Sequence, residues 1–317
     1  MNPIGHDGAD TAPLTVLHEA GDWLAVHKPA GLLVHRSPLD AANTDTVQRR
    51  LKAQLGAWLL PVHRLDRGTS GVLLLARTPA AARAAQAPFL EGRVRKHYLG
   101  LVRGWPAGPV AVDHPLRPED AGPEAPAQPA WTAFAPLARL AVDGGADPRH
   151  PQSRYALVAA WPRSGRRHQI RRHLKHLAHP LVGDATHGKG EHNRWWAAAL
   201  GRPRLWLHAQ ALGLPHPDGG WLHLASPLHA PWNADWQALA AWPGWQTPWP
   251  EAAWGATPPE LPAGLDERGG PGGPGGPDGP GGSDGPDAVS RLMGRDGRAS
   301  PSPPAPHARA GRAPPRP

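Results

Sequence analysis

Cysteine is absent from the 317 residues, which removes disulfides, thiolate metal sites and a cysteine nucleophile together. No apolar run approaches the ~18 residues of a membrane helix. The start, MNPIGHDGADTAPL, has neither the basic nor the apolar region of a signal peptide. A soluble cytoplasmic protein with no membrane partner is the expectation. Lysine is scarce, five against 29 arginines. A compositional bias toward Arg, Ala, Gly and Pro accounts for that choice, but not for the surplus of base over acid.

Glycine and proline are abundant, 38 and 42, and they crowd into residues 255–317. The segment PGGPGGPDGPGGSDGP has no apolar side chains to bury, so 255–317 is expected to be a disordered tail. Residues 1–12 are expected to be a disordered N-terminus and 13–254 one folded domain. Acid and base balance within the tail, so the net charge of +8 falls on the part that folds. With a pI near 10.7, that part attracts polyanions, either nucleic acid or an anionic surface.

Residues 14–19 and 23–27 read as strands around a turn. Over 46–58, Val47, Leu51, Leu55 and Trp58 recur at helical spacing. A second helix is expected from Thr78 as N-cap, with Pro79 in its first turn. Further strands are expected near 94–103, 130–140, 154–161, 204–214 and 221–225, and helices near 168–178, 192–200 and 233–241. Residues 117–130 read as a surface loop, and Trp232 and Trp236 as core anchors of the last helix. Strands follow one another without intervening helices, which favours an α+β fold with a mixed sheet.

Two segments stand out chemically. WPRSGRRHQIRRHLKHLAHPLVG (161–183) has six Lys and Arg, four His and no acid. On a helix from Arg167, an apolar seam at Ile170, Leu174 and Leu177 lies beside Arg167, Arg171 and Lys175, a stripe suited to a phosphate backbone or simply to solvent. With no carboxylate or thiolate among them, His168, His173, His176 and His179 are a poor metal site. The other segment is HRLDRGTSG (63–71), in which Asp66 lies between Arg64 and Arg67. Flanking guanidiniums favour a charged carboxylate, suited to a nucleophile, a base or an ordinary ion pair. No G-x-S-x-G elbow accompanies Ser70.

HRLDRGTSGVLLLAR (63–77) resembles the catalytic motif of the RluA family of pseudouridine synthases. KPAGLLVH (28–35), RKHYLGLVRG (95–104), SGRRHQIRRH (164–173), HPLVGD (179–184) and LWLHAQAL (205–212) follow in that family's order. The resemblance spans about 14–229 and implies the pseudouridine synthase fold, a mixed, mainly antiparallel sheet flanked by helices. LLVHRSPLD (32–40) and RRHLKHLAHPLVGDATHGKGEHNR (171–194) are closer to tRNA-acting members than to ribosomal-RNA ones. The additional N-terminal RNA-binding domain common in the family is not expected, since the first expected strand starts at residue 14.

The resemblance implies an RNA isomerase that uses no cofactor and no metal and acts as a monomer. Its expected substrate is tRNA at uridine 65, with ribosomal RNA as the alternative and a catalytically silent RNA binder as a further one. By the same resemblance Asp66 is the essential carboxylate, acting on sugar or base, and Arg171 pairs with it. Tyr98 stacks on the flipped uracil with its hydroxyl placed to help remove the C5 proton. Arg64 fills the gap left by the extruded nucleotide. Arg67, Arg166, Arg167, His168, Gln169 and Arg172 complete the expected RNA-binding set.

Overall fold

A computed structural model describes residues 12–36, 45–122, 124–216, 218–255 and 260–265, all within the compact unit Met1–Arg268. The expected disordered segments lie outside the described residues, apart from Ala12, Gly255 and 260–265. At the end of the segment 218–255, Gln210 Nε2 lies 3.1, 3.0 and 2.9 Å from the carbonyl oxygens of Ala252, Ala253 and Gly255, three acceptors that share its two protons.

The strands are β1 (Val16–Ala20), β2 (Trp23–Lys28), β3 (Leu60–Pro61), β4 (Ser70–Ala76), β5 (Arg95–Arg103), β6 (Val110–Asp113), β7 (Trp131–Asp143), β8 (Gln152–Pro162), β9 (Leu207–Pro215) and β10 (Trp221–Ala225). They form one sheet in the order β1-β2-β4-β9-β5-β8-β7-β6, with β3 on β4 and β10 on β9. Among the described strand pairs only β4 and β9 run parallel. The expected α+β class and mainly antiparallel sheet are what the structure shows. The helices are α1 (Val47–Leu55), α2 (Pro79–Leu90), α3 (Gln169–His176), α4 (Gly190–Ala199), α5 (Ala234–Ala240) and α6 (Glu251–Trp254).

Strand alternation sets which helix covers which face. Leu24, Val26, Leu73 and Leu75 pack with Val47 and Leu51 of α1. Their neighbours Trp23, Ala25, Val72, Leu74 and Ala76 pack with Ala82 and Ala85 of α2 on the opposite side. In the other half, Val102, Ala156 and Val158 meet Ile170 and Leu174 of α3, while Leu99, Leu101, Tyr155 and Leu157 meet Trp196 of α4 and Trp236 of α5. Both faces are covered, which is why SGVLLLA of β4 is buried throughout.

The Thr46 and Thr78 hydroxyls accept from the amides of Arg49 and Ala81 and open α1 and α2. Gly56, at φ 73°, closes α1. Trp58, expected on that helix's apolar face, therefore lies beyond it, 51% exposed beneath the Lys52 ammonium. Trp232 is likewise no core anchor. It falls in a 3-10 turn (Pro231–Asn233) before α5 begins, whereas Trp236 is fully buried. One glycine fixes the junction beneath the site: at Gly71, φ 117°, a Cβ would sit 2.1 Å from the Ala209 carbonyl oxygen. Only glycine lets β4 come alongside β9 there.

Candidate active site

The loop 62–69 carries Asp66 and is clamped from below. Lys28, fully buried at the end of β2, donates to the carbonyls of Pro29, Leu32 and Arg67 at 2.9, 2.8 and 3.1 Å. Three acceptors use all three ammonium protons. The Gly31 amide also reaches the Arg67 carbonyl at 2.9 Å, and Arg67 Nε returns a bond to the Gly31 carbonyl at 3.0 Å. The residue after Asp66 is thus held by both backbone and side chain. Burial pushes the Lys28 pKa down to about 7, opposed by the charge of Asp66.

Asp66 Oδ2 accepts from Arg171 Nη1 at 3.1 Å. Arg171 is buried in the first turn of α3, and its Nε and Nη2 fork Asp184 at 2.6 and 2.7 Å. Asp184 Oδ1 also accepts from the amides of Thr186 and His187, both at 2.9 Å. Burial disfavours its charge, but Arg171 and these amides outweigh that and hold its pKa below the usual carboxylate range. A planar guanidinium gripped on one edge has little freedom left, so its remaining nitrogen is aimed at Asp66. The guanidinium that reaches Asp66 comes from 105 residues away, not from the flanking Arg64 and Arg67. Arg64 is exposed.

Asp66, Arg171 and Tyr98 of β5 line one cleft of about 390 Å³, with Arg64, Lys96, Arg166, Arg167 and His168 among its other walls. Asp66 Oδ1 has no hydrogen-bond partner among the described residues, which leaves that oxygen for a substrate. Burial first, and then the negative charge of Asp66, push the Tyr98 pKa above its ordinary value. Its hydroxyl therefore stays protonated as a donor beside the half-buried ring. A larger cavity of about 810 Å³ lies behind the Asp66 loop and shares only Arg171 with this cleft.

The rest of the expected RNA-binding set divides. Arg166 is exposed at the rim, its Nε on the Pro129 carbonyl at 3.3 Å. Gln169 is buried, and all four hydrogen-bonding positions of its amide are used: Oε1 by Ser164 Oγ and the Arg166 amide, Nε2 by the Trp131 carbonyl and Thr132 Oγ1. It ties the start of α3 to β7 and has no donor or acceptor left for a base. Arg172 donates to the Arg117 carbonyl at 2.8 Å.

Arg167 lies 3.4 Å from Glu119 and 3.5 Å from Asp120, and His168 Nδ1 lies 2.7 Å from Glu119. The segment without acid in sequence thus gains two carboxylates from the 117–130 loop. The histidines, without a carboxylate in their own segment, gain one in three dimensions. Glu119, His168 and His187 bring one ligand-type atom each within 4.8 Å of one another. In this arrangement the carboxylate sits between two imidazoles, His187 Nε2 at 3.1 Å, and His168 Nε2 is 3.9 Å from Asp66.

Lys96, Asp184, His187 and Glu119 were not singled out from sequence. For Lys96 a signal existed: it stands two residues before Tyr98, hence on the same strand face. Its Nζ donates to the Ser164 and Arg163 carbonyls at 2.8 and 3.2 Å, and burial lowers its pKa to about 8.

Comparison with known proteins gives the arrangement a family. Residues 22–176 match the model of the RNA pseudouridylate synthase family. The chain is 39% identical over 242 residues to tRNA pseudouridine synthase C of Vibrio cholerae, covering 74% of this chain and 97% of that protein. It is 39% identical over 239 residues to the protein of that name from Yersinia pestis, covering 73% and 91%. Among solved structures, human RNA pseudouridylate synthase domain containing 1 aligns with a TM-score of 0.56 at 27% identity, over 77% of this chain and 99% of that one. Among the described residues no helix is long and apolar enough to cross a membrane. Relatives matched over nearly their whole length, the shared sheet and the ordered motifs agree: the chain belongs to the RNA pseudouridylate synthase family, isomerases that make pseudouridine in RNA.

Proposed function

We propose that this protein converts one uridine of tRNA to pseudouridine, with position 65 as its target and Asp66 as the reacting carboxylate. The observation that carries the reading is the chain Asp184–Arg171–Asp66. It presents one carboxylate oxygen, without a hydrogen-bond partner among the described residues, to a cleft whose rim is cationic. The tRNA assignment is supported by the names of the relatives from Vibrio cholerae and Yersinia pestis.

The reaction breaks the N1–C1′ bond and forms C5–C1′; a proton leaves C5 and one is gained at N1, so atoms balance without a co-reactant. Extruding a paired uridine costs a few kcal/mol, which phosphate contacts from Arg64, Arg166 and their neighbours offset. In the cleft the uracil lies against the Tyr98 ring, whose protonated hydroxyl donates to a uracil oxygen. Asp66 then handles the bond exchange at a distance fixed by Arg171 on one side and the Lys28 clamp on the other.

The test is to map pseudouridine in total tRNA and ribosomal RNA from cells with and without the gene, using a pseudouridine-specific label. Loss of one tRNA site supports the reading. Loss at a ribosomal site instead discards the tRNA assignment, and no change at any site discards the activity.

A further inference from the structure

Glu119, His168 and His187 meet at one point from three segments: the 117–130 loop, the entry to α3 and the turn after Asp184. His168 Nδ1 and His187 Nε2 face each other at 3.3 Å, with the two rings nearly perpendicular at 73°. The His168 and His187 side chains are 16% and 10% exposed, and Glu119, at 24%, is the most open of the three.

The two imidazoles are held by the same pair that positions the active site. The His187 amide donates to Asp184 Oδ1 at 2.9 Å, and Asp184 is the carboxylate that Arg171 forks. His168 enters α3 at φ 55°, a left-handed backbone that is costly for a residue with a side chain. Its carbonyl accepts from the Arg172 amide at 2.9 Å. The surrounding charge favours a cation. Asp66 and Asp184 offset Arg171, Asp120 offsets Arg167, and Glu119 adds a further carboxylate.

His168 is the residue that asks for a ligand. Each of its ring nitrogens faces a carboxylate, Nδ1 toward Glu119 at 2.7 Å and Nε2 toward Asp66 at 3.9 Å. A neutral imidazole has one proton and serves one of them, so the other carboxylate meets a lone pair. A cation on Nδ1 resolves both contacts. The ring proton then sits on Nε2 and points to Asp66, the carboxylate–histidine–metal arrangement that orients metal-bound imidazoles. Zinc lies about 2.0–2.1 Å from imidazole nitrogens, which in a tetrahedron sets two of them about 3.3–3.4 Å apart. The observed 3.3 Å matches that edge. The 2.7 Å contact of Glu119 is shorter than that edge, and a small turn of its partly exposed carboxylate would open it.

We infer that Glu119, His168 and His187 form a site for one divalent transition-metal ion of the zinc class, which pins the 117–130 loop to the start of α3 beside Asp66. Two nitrogens and one oxygen suit zinc, cobalt(II) or nickel(II) better than magnesium or calcium. Three protein ligands leave a fourth position for water. The site stands on its own geometry and does not depend on the RNA reading.

The experiment titrates the full chain, stripped of metal with a chelator, with zinc in competition with a chromophoric chelator. The wild type should take up about one equivalent, and cobalt(II) in its place should give the visible absorption of a tetrahedral site. Glu119→Gln and His187→Ala should each weaken zinc binding by about tenfold or more. His176→Ala, an exposed histidine of α3 outside the cluster, should leave it unchanged. Zinc should raise the melting temperature of the wild type and of His176→Ala but not of the two ligand variants. If His187→Ala does not fold, Glu119→Gln on the loop still decides. No uptake by the wild type overturns the inference and leaves His168 with a second proton instead. Uptake that survives both ligand substitutions, or that is lost with His176→Ala, places the ion elsewhere and overturns it too. Neither RNA nor turnover enters the titration, so absence of isomerisation would count against the proposed activity and leave this result readable.

Discussion

Arg171 joins two carboxylates, Asp184 through a fork and Asp66 through its remaining nitrogen, so its loss should be felt twice. Arg171→Ala leaves Asp184 buried and unpaired, which costs about 3–5 kcal/mol, and frees Asp66 to turn. The expected outcome is a drop in melting temperature together with loss of product; an unchanged melting temperature would contradict the buried pairing. Lys28→Met removes the donor for three carbonyls and should destabilise by about 3 kcal/mol or more, read by denaturant titration. That Asp66, Tyr98 and Arg171 meet in one cleft is what the resemblance of their motifs implied. Asp184 as the anchor of Arg171, Lys28 as the clamp, and Glu119 between two histidines were not legible in the sequence, because each depends on partners brought together only by the sheet. Gln169 misled for the same reason: its place in a basic motif suggested RNA, whereas its amide is consumed by Ser164, Trp131 and Thr132.

Helix α3 positions the site at one end and is closed by an unfavourable residue at the other. Ala178 sits at φ 60° while the His179 amide bonds back to the Leu174 carbonyl at 2.9 Å. A side chain in this left-handed position costs about 1–2 kcal/mol, and glycine is the usual occupant. Ala178→Gly should therefore raise stability by about 1 kcal/mol, measured by thermal melting; a loss would mean the helix end is held differently. The 117–130 loop acts on the same helix electrostatically. Glu119 and Asp120 occupy Arg167, and Glu119 also holds His168, so they compete with RNA phosphates for those cations. Neutralising both, as Glu119→Gln with Asp120→Asn, should tighten tRNA binding a few-fold at low salt. Weaker binding would show that the loop helps to hold RNA.

Across the whole molecule, buried neutral histidines tie the sheet together. His27 lies 2.8 Å from Ser226 Oγ, and His208 lies 2.9 Å from Ser70 Oγ and 2.7 Å from the Ser226 carbonyl. Burial lowers the pKa of His63 to about 4, of His97 and His208 to about 3, and of His27 to about 2. Above the unfolded value of about 6.5 both states are neutral and this stability is fully present. As pH falls below it, the unfolded chain takes up protons that the native one refuses. Each histidine then removes up to about 1.4 kcal/mol per pH unit. The melting temperature should fall steeply between pH 6.5 and 4.5; a flat profile would mean these rings are charged in the fold. At this scale much of the architecture was legible, since the helical spacing of Val47, Leu51 and Leu55 and the cap at Thr78 are local signals. Strand β6 and helix α6 were missed because four residues are too few to show a period, and Trp58 and Trp232 were misplaced because their helices end or begin between them and their supposed partners.

On the proposed function, Asp66 performs the isomerisation in a cleft that binds RNA by other means. This is tested most directly by incubating purified wild type and Asp66→Asn with unmodified tRNA, then measuring pseudouridine and tRNA affinity on the same samples. Product is expected from the wild type alone, with the two affinities within a few-fold. Product from Asp66→Asn at the wild-type rate, or loss of tRNA binding with loss of product, would contradict it.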